Sequence, residues 1–319
     1  QCPQVFRSGP GSVLRMINEL FAVIAPILIC AGIGYAWARR GGSYPVDFVT
    51  RMVMNIGAPC LILASFNKAE IDISKMAEIT TAALVILSVT LVFGVALIRM
   101  MRLKISTFLP SLLFPNIGNM GLPLCLFAFG ETGLALALTI FLLVFSLQMS
   151  LGIALVAGRR NMTGLLKQPV LWATAIAITL VSTELSLPVW LDNTTSILGG
   201  LTIPLMLITL GVSLAELKVT EWKHSLWFSL LRVVGGFGLA VLVAGLFGLE
   251  GVERGVLILQ SSMPVAVFNY LLAARFQREP GEVAGMVVMS TLLAFVLLPF
   301  MVSYVLGLSL IHISEPTRH

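Results

Sequence analysis

Long apolar runs alternate with short polar segments along the whole chain. Most runs have the roughly 20 residues that a helix needs to cross about 30 Å of hydrocarbon, and no polar stretch between them is long enough for a soluble domain. Such a pattern predicts an all-α polytopic membrane protein with ten transmembrane helices. The ten segments are about 17–38, 46–66, 76–98, 106–129, 132–157, 169–183, 191–213, 224–248, 252–276 and 283–307.

The composition agrees with a membrane protein and excludes an ordinary soluble one. Hydrophobic residues make up 58% and charged residues 11% of the chain, and the mean hydropathy is +0.99. The net charge of +5 is a topology signal, because cytoplasmic loops of membrane proteins are rich in Lys and Arg. We therefore expect a lipid bilayer around the chain and no nucleic-acid partner.

The basic residues of the loops predict the orientation. If the N-terminus lies outside, 13 of them fall on the cytoplasmic side and only Lys68, Lys75 and Arg254 on the other. The cytoplasmic ones are Arg39, Arg40, Arg51, Arg99, Arg102, Lys104, Arg159, Arg160, Lys167, Lys218, Lys223, Arg275 and Arg278. The positive-inside rule thus predicts that both termini lie outside.

Both ends of the chain differ in character from the apolar region. Residues 1–15 fit neither a signal peptide nor a fold, so we interpret them as a non-native or untranslated leader, with Met16 as the expected start. Residues 308–319, "LSLIHISEPTRH", resemble a translated sequencing adapter, the alternative being a short polar tail. The expected organisation is a first five-helix repeat at 16–157, a cytoplasmic linker at 158–168 and a second repeat at 169–307.

An internal repeat is visible in the polar and proline positions. Similar motifs recur in segments 2 and 7 and in segments 4 and 9, at separations of 145 to 150 residues. The matched pairs are Pro59 with Pro204, Pro115 with Pro264, and Asn119 with Asn269. Because each unit holds an odd number of segments, the second repeat must lie inverted in the membrane. The alternative is a chance alignment of prolines.

The fourth segment contains "PNIGNMGLPLCLFAFG", residues 115–130, which is poor helix material. Proline lacks an amide proton and clashes with the preceding turn, while Gly118 and Gly121 allow conformations that other residues avoid. A helical break between Pro115 and Pro123 is therefore predicted. Taken singly, each break has the alternative of a structural proline kink.

Backbone that is broken at membrane depth must be satisfied within the protein or line a wet cavity. If the breaks of segments 4 and 9 cross, half-helices begin there, near Leu122 and Val265, with partial positive charge at their N-termini. Such a place suits an anion. Asn116 and Asn119 either cap freed backbone groups or face a solute, and the sequence does not separate these two roles.

The stretches "PNIGNMGLPLCLFAFGETGLALAL" and "PVAVFNYLLAARFQREPGEVAGMVVMSTLLAFVLLP" resemble the paired motifs of the auxin efflux carrier family, including bacterial members described as malate or malonate permeases. The resemblance implies an inverted-repeat fold related to bile acid/sodium symporters, with broken helices 4 and 9 crossing. It further implies a scaffold of segments 1, 2, 6 and 7, a mobile unit of segments 3–5 and 8–10, and a homodimer through the scaffold. The implied protein is a permease for small organic anions in the bacterial inner membrane.

The crossing of segments 4 and 9 is the candidate substrate site. By resemblance, Asn116, Asn119 and Asn269 match polar positions of the family motifs. Arg232, inside segment 8, either snorkels to the cytoplasmic interface or faces protein and an anion. The full candidate set is Pro115, Asn116, Gly118, Asn119, Gly121, Arg232, Pro264, Val265 and Asn269.

Other chemistry finds little support in the sequence. No carboxylate is evident deep in the bundle, so coupling to protons or sodium stays open, with Gln260, Ser261, Ser262 and backbone carbonyls as an alternative sodium site. The cysteines have no metal-ligand spacing, and we expect neither a metal nor a cofactor. We expect no enzyme, because the segments lack a nucleophile with a base. A channel or a transport-derived sensor is the alternative function.

Overall fold

The structure is a computed structural model that describes residues 11–68, 73–157, 167–183, 185–217 and 222–313. Within these ranges the regular elements are all helical, and one isolated β-bridge joins two non-helical segments. Residues 158–166, which form most of the predicted linker, lie outside the described residues. So do residues 1–10 and 314–319.

The described residues of the first half form seven α-helices, and short π-helical turns connect some of them. They are α1 Gly11–Arg39, α2 Val46–Met52, α3 Ala58–Lys68, α4 Ile73–Met100, α5 Ile105–Leu113, α6 Leu122–Leu147 and α7 Ile153–Ala157. The π-helical turns are Val53–Gly57, Ile117–Gly121 and Gln148–Gly152.

In the second half, the residues that the structure describes form eight α-helices and one π-helical turn, Leu231–Gly235. They are α8 Pro169–Ser182, α9 Val189–Gly200, α10 Thr202–Glu216, α11 Trp222–Leu230, α12 Gly236–Leu246, α13 Gly251–Ser261, α14 Val267–Arg275 and α15 Pro280–Ile313.

Helices overlap all ten predicted segments, and the molecule is a multi-pass membrane protein. Among the described residues, seven helical runs are long and apolar enough to cross a membrane, and α8 is a shorter apolar helix. Ten membrane crossings and the inverted repeat therefore stay predictions. The boundary between segments 4 and 5 falls at Gly130, whose φ of 66° is a conformation that glycine adopts at no steric cost.

The outer bounds of the helices differ from the predicted domain bounds. Helix α1 begins at Gly11, before the expected start at Met16, and α15 continues to Ile313, beyond the predicted end at 307. Helices α1 and α15 thus include residues of both terminal segments. That these segments are a non-native leader and a translated sequencing adapter stays a prediction.

The helices pack in two groups. In the first group α1 packs along α10, and α3 packs on α8 and α9. The first of these contacts depends on small residues, because a Cβ at Gly34 or Gly211 would overlap the backbone of the partner helix at Ile208 or Ala31. In the second group α11 packs on α15, and α13 lies between α6 and α12. That the first group is a scaffold and the second a mobile unit stays a prediction.

Candidate functional site

Two helices of the second group are interrupted, and their interruptions meet. Helix α5 ends at Leu113 and helix resumes at Ile117, while α13 ends at Ser261 and helix resumes at Val267. The intervening segments form an antiparallel bridge between Pro115 and Val265. Asn116 N donates to Pro264 O at 2.7 Å, and Ala266 N donates to Phe114 O at 3.2 Å. The structure therefore brings the two prolines paired in the sequence to one place.

The fourth-segment break lies at the start of the stretch in which it was predicted. Only Phe114–Asn116 is non-helical, and the helix continues through the rest of the stretch from Pro115 to Pro123. Pro123 is the second residue of α6 and directly follows the π-helical turn Ile117–Gly121, so the helix continues through it. The π-helical turn places the helix start at Ile117 instead of Leu122, and α14 starts at Val267, two residues after Val265.

Asn269 hydrogen-bonds to the backbone of the opposite break. Its Nδ2 donates to Pro110 O at 3.2 Å and to Phe114 O at 3.0 Å, and its side chain is buried. Val265 N donates to Ser290 Oγ at 3.0 Å. These backbone groups at the breaks are thus paired inside the protein, as a low-dielectric surrounding requires.

Arg232 is buried at the crossing and does not snorkel to an interface. Its side chain is 5% exposed, and it lies in the π-helical turn of segment 8. Nε donates to Met263 O at 3.1 Å, Nη1 to Leu112 O at 3.0 Å and Nη2 to Ser261 O at 2.6 Å. Leu112 and Ser261 lie in the last turns of α5 and α13, and Met263 lies two residues after α13 ends. Helix C-termini carry partial negative charge, so the guanidinium lies where a cation is stabilised.

A cavity of about 470 Å³ lies beside the crossing, between the two helix groups. Its walls combine polar side chains with an apolar, aromatic surface. The polar lining comprises Thr50, Arg51, Asn55, Asn116, Asn119, Gln148, Gln168, Thr209, Ser213 and Arg275, and the apolar lining includes Met149, Met206, Phe141, Phe145 and Phe268. Arg51 and Arg275 are exposed, so the cavity reaches the surface on the side predicted to be cytoplasmic.

The helix that starts at Ile117 presents its N-terminus to this cavity. Asn116, Ile117 and Gly118 all line it, and the first amides of a helix have no acceptor within that helix. Asn116 makes no side-chain cap, and its Nδ2, in a side chain only 4% exposed, has no hydrogen-bond partner among the described residues. Which of the two roles Asn116 has, capping freed backbone groups or facing a solute, stays a prediction.

The structure divides the predicted site residues into two sets. Pro115, Asn116, Gly118 and Asn119 line the cavity. The rest lie behind it: Gly121, Arg232, Pro264, Val265 and Asn269 are not among its lining residues. Gly121 lies against the side-chain amide of Gln260. A role in substrate binding stays a prediction for every member of the set.

Sequence reasoning missed several lining residues. Gln148 is the clearest, because its Nε2 donates to Asn269 Oδ1 at 2.9 Å and its side chain lines the cavity. The available signal was a single amide in the apolar run "FLLVFSLQMSLG". Arg51 and Arg275 were interpreted only as topology markers, since hydropathy does not show that two loop arginines share one cavity.

Ion sites have no further support among the described residues. No group of three or more His, Cys, Asp or Glu side chains is placed to hold a metal ion there. Gln260 is 1% exposed, and neither its Nε2 nor its Oε1 has a hydrogen-bond partner in the described part of the chain. A sodium site at Gln260 stays an untested alternative.

Crossed helix breaks beside a cavity, within a multi-pass membrane protein, define a membrane transporter as the class of protein. A family model described as "Membrane transport protein" matches residues 20–164 and 159–302. The chain belongs to this family, the auxin efflux carrier-like membrane transport family, so the resemblance found in the sequence is confirmed.

Two archaeal relatives agree with the family match. The chain is 26% identical over 297 residues to an uncharacterized transporter of Methanothermobacter thermautotrophicus, covering 86% of this chain and 95% of the relative. It is 24% identical over 292 residues to an uncharacterized transporter of Methanocaldococcus jannaschii, covering 84% of this chain and 93% of the relative. These similarities indicate a transporter and not an enzyme.

Proposed function

We propose that the protein is a secondary carrier for small organic anions, with a carboxylate bound where the interrupted helices meet. The observation that carries the proposal is the unpartnered Nδ2 of Asn116 beside the helix N-terminus at Ile117. Backbone amides at a helix N-terminus that lines the cavity, with a side-chain amide beside them, are the donors a carboxylate needs. Asn119, half-buried one turn on, adds a further amide.

The charges around the cavity support an anion over a cation. Arg51 and Arg275 are among its lining residues, and no acidic residue is among the described residues that line it. Exposed charges of one sign at the mouth of a cleft raise the local concentration of oppositely charged solutes. Anions therefore enter from the basic side.

The apolar wall supports an organic body on the anion. Phe141 and Phe145 stack with ring centroids 5.6 Å apart, and Phe268 and Met206 also line the cavity. Sites that bind organic molecules combine such surfaces with a few placed polar groups. Among the candidate carboxylates, auxin-like acids use both surfaces, whereas malonate and malate use only the polar one.

The carrier works by alternating access in the cytoplasmic membrane. Ten helices in two inverted repeats cross the bilayer with both termini outside, and a homodimer forms through the scaffold. The helix group that holds the crossing moves against the other group, which supplies Met206, Thr209 and Ser213 to the cavity wall. The cavity as described is then the state open to the cytoplasm.

Uptake into proteoliposomes tests this function. Radiolabelled malonate, malate and indole-acetate are offered to the wild type, Asn116→Ala and the matched control Asn193→Ala, which changes an exposed asparagine of α9. We expect saturable uptake of at least one anion in the wild type and the control, and loss in Asn116→Ala with the protein still folded. Imposed proton and sodium gradients identify the driving ion. Uptake of no carboxylate, or flux that never saturates as in a channel, would contradict the proposal.

A further inference from the structure

We propose that Arg232 is a positioning residue that fixes the charge preference of the site without contacting the substrate. The inference rests on the proposed anion site at the crossing. In this role, the guanidinium of Arg232 balances the negative charge of the helix C-termini at the crossing. The substrate then carries a single negative charge.

The guanidinium of Arg232 donates to backbone carbonyls at the ends of the interrupted helices. The last carbonyls of a helix have no partner within that helix and carry partial negative charge. Arg232 donates to two such carbonyls, Leu112 O on one interrupted helix and Ser261 O on the other, and also to Met263 O, two residues after α13 ends. A planar guanidinium suits this task, because its donors point in fixed, divergent directions.

The C-terminal and N-terminal ends of the interrupted helices lie in different surroundings at the crossing. The two C-terminal ends face Arg232, whereas Ile117 and Val267, the first residues of the two continuing helices, line the cavity. Gly236 allows the close approach of segment 8, because a Cβ there would overlap Ser261 O. The negative helix ends therefore face Arg232, whereas the positive helix ends face the cavity.

The partial charges of the four helix ends and the charge of Arg232 determine the net charge that faces the cavity. A helix terminus is equivalent to about half an elementary charge, positive at the N-terminus and negative at the C-terminus. Two C-terminal ends carry about −1 in total, which the guanidinium balances. Two N-terminal ends leave about +1 toward the cavity, which one carboxylate balances. Without Arg232, the negative ends would oppose the positive ones, and the site would lose its preference for an anion.

The position of Arg232 distinguishes its role from that of a substrate ligand. Arg232 is not among the residues that line the cavity, and each of its three guanidinium nitrogens donates to a backbone carbonyl. A substrate ligand would need to reach the cavity. Arg232 acts instead through the position and charge of the helix ends.

The test compares affinity for indole-acetate, a monovalent anion, in Arg232→Gln, Arg232→Lys and the control Arg278→Gln. Arg278 also donates from Nε to a backbone carbonyl, Val156 O at 2.9 Å, but away from the cavity lining. A unit charge about 10 Å away, at an effective dielectric constant of about 20, changes binding by roughly tenfold to twentyfold. We expect a loss of that size in Arg232→Gln, little change in Arg278→Gln, and affinity within about threefold of wild type in Arg232→Lys.

A rescue experiment keeps the test decisive if a variant folds poorly. Arg232→Gly is assayed with and without added guanidinium ion, which should restore indole-acetate affinity by occupying the space of the lost side chain. Rescue supports the proposal, as does a folded Arg232→Lys protein that keeps its affinity. Wild-type affinity in Arg232→Gln, or a folded Arg232→Lys protein as weak as Arg232→Gln, would overturn it. Absence of anion binding in the wild type would instead overturn the proposed function.

Discussion

Replacing Asn269 by alanine tests how the crossing is held together. The substitution removes the donors to Pro110 O and Phe114 O and the acceptor for Gln148 Nε2, all within a buried region. Both carbonyls keep a backbone partner, because Phe114 N donates to Pro110 O and Ala266 N to Phe114 O. The amide of Gln148 is therefore the group that loses its partner.

The magnitude follows from these contacts. A buried donor left without a partner costs about 1–3 kcal/mol, and side-chain hydrogen bonds measured within membranes average about 0.6 kcal/mol each. We expect Asn269→Ala to lower the free energy of unfolding by about 2–4 kcal/mol. Titration of the purified protein in mixed micelles with a denaturing detergent measures this difference.

Two further variants isolate the Asn269 contacts. Asn269→Asp keeps the acceptor for Gln148 but loses both donors, so it should be destabilised as well. The double variant with Gln148→Ala should lose about 1 kcal/mol less than the sum of the single losses, because the two side chains share one hydrogen bond. Additive losses, or a wild-type stability in Asn269→Ala, would refute the reasoning.

Two other predictions follow from the described contacts. Gly211→Ala places a Cβ onto Ala31 O and should destabilise the protein by about 1–3 kcal/mol. Gly238→Ala, with nothing within 4 Å of the new Cβ, should change thermal stability little; equal effects of the two would contradict the close helix contact. Arg51→Gln and Arg275→Gln should each raise KM for anion uptake several-fold at low salt and less at high salt, since screening weakens exposed charges. An effect that does not depend on salt would exclude steering by these arginines.

The sequence predicted the location of the helices well, because apolar runs and loop charges are local signals. Helix overlaps every predicted segment, and the prolines at 115 and 264 correctly marked where helices are interrupted. The start of the continuing helix was placed too late, because the helix resumes at Ile117 and not near Leu122.

The partners of the polar side chains could not be predicted. Asn116 and Asn269 were both predicted site residues, yet Asn269 bonds to the opposite break while Nδ2 of Asn116 has no partner among the described residues. Which of two asparagines meets a carbonyl depends on contacts across more than 120 residues of chain. The partners of Arg232 could not be predicted for the same reason, because its three acceptors come from two other segments.

The most direct test of the anion site is equilibrium binding of radiolabelled indole-acetate to the purified wild type and to Asn116→Asp. The substitution keeps the size of the side chain and should not unfold the protein, because a carboxylate at a helix N-terminus is stabilised by the helix dipole. It also replaces the unpartnered amide with a negative charge at the proposed carboxylate position. The account predicts saturable binding to the wild type and none to the folded Asn116→Asp protein. Equal binding to both would contradict it.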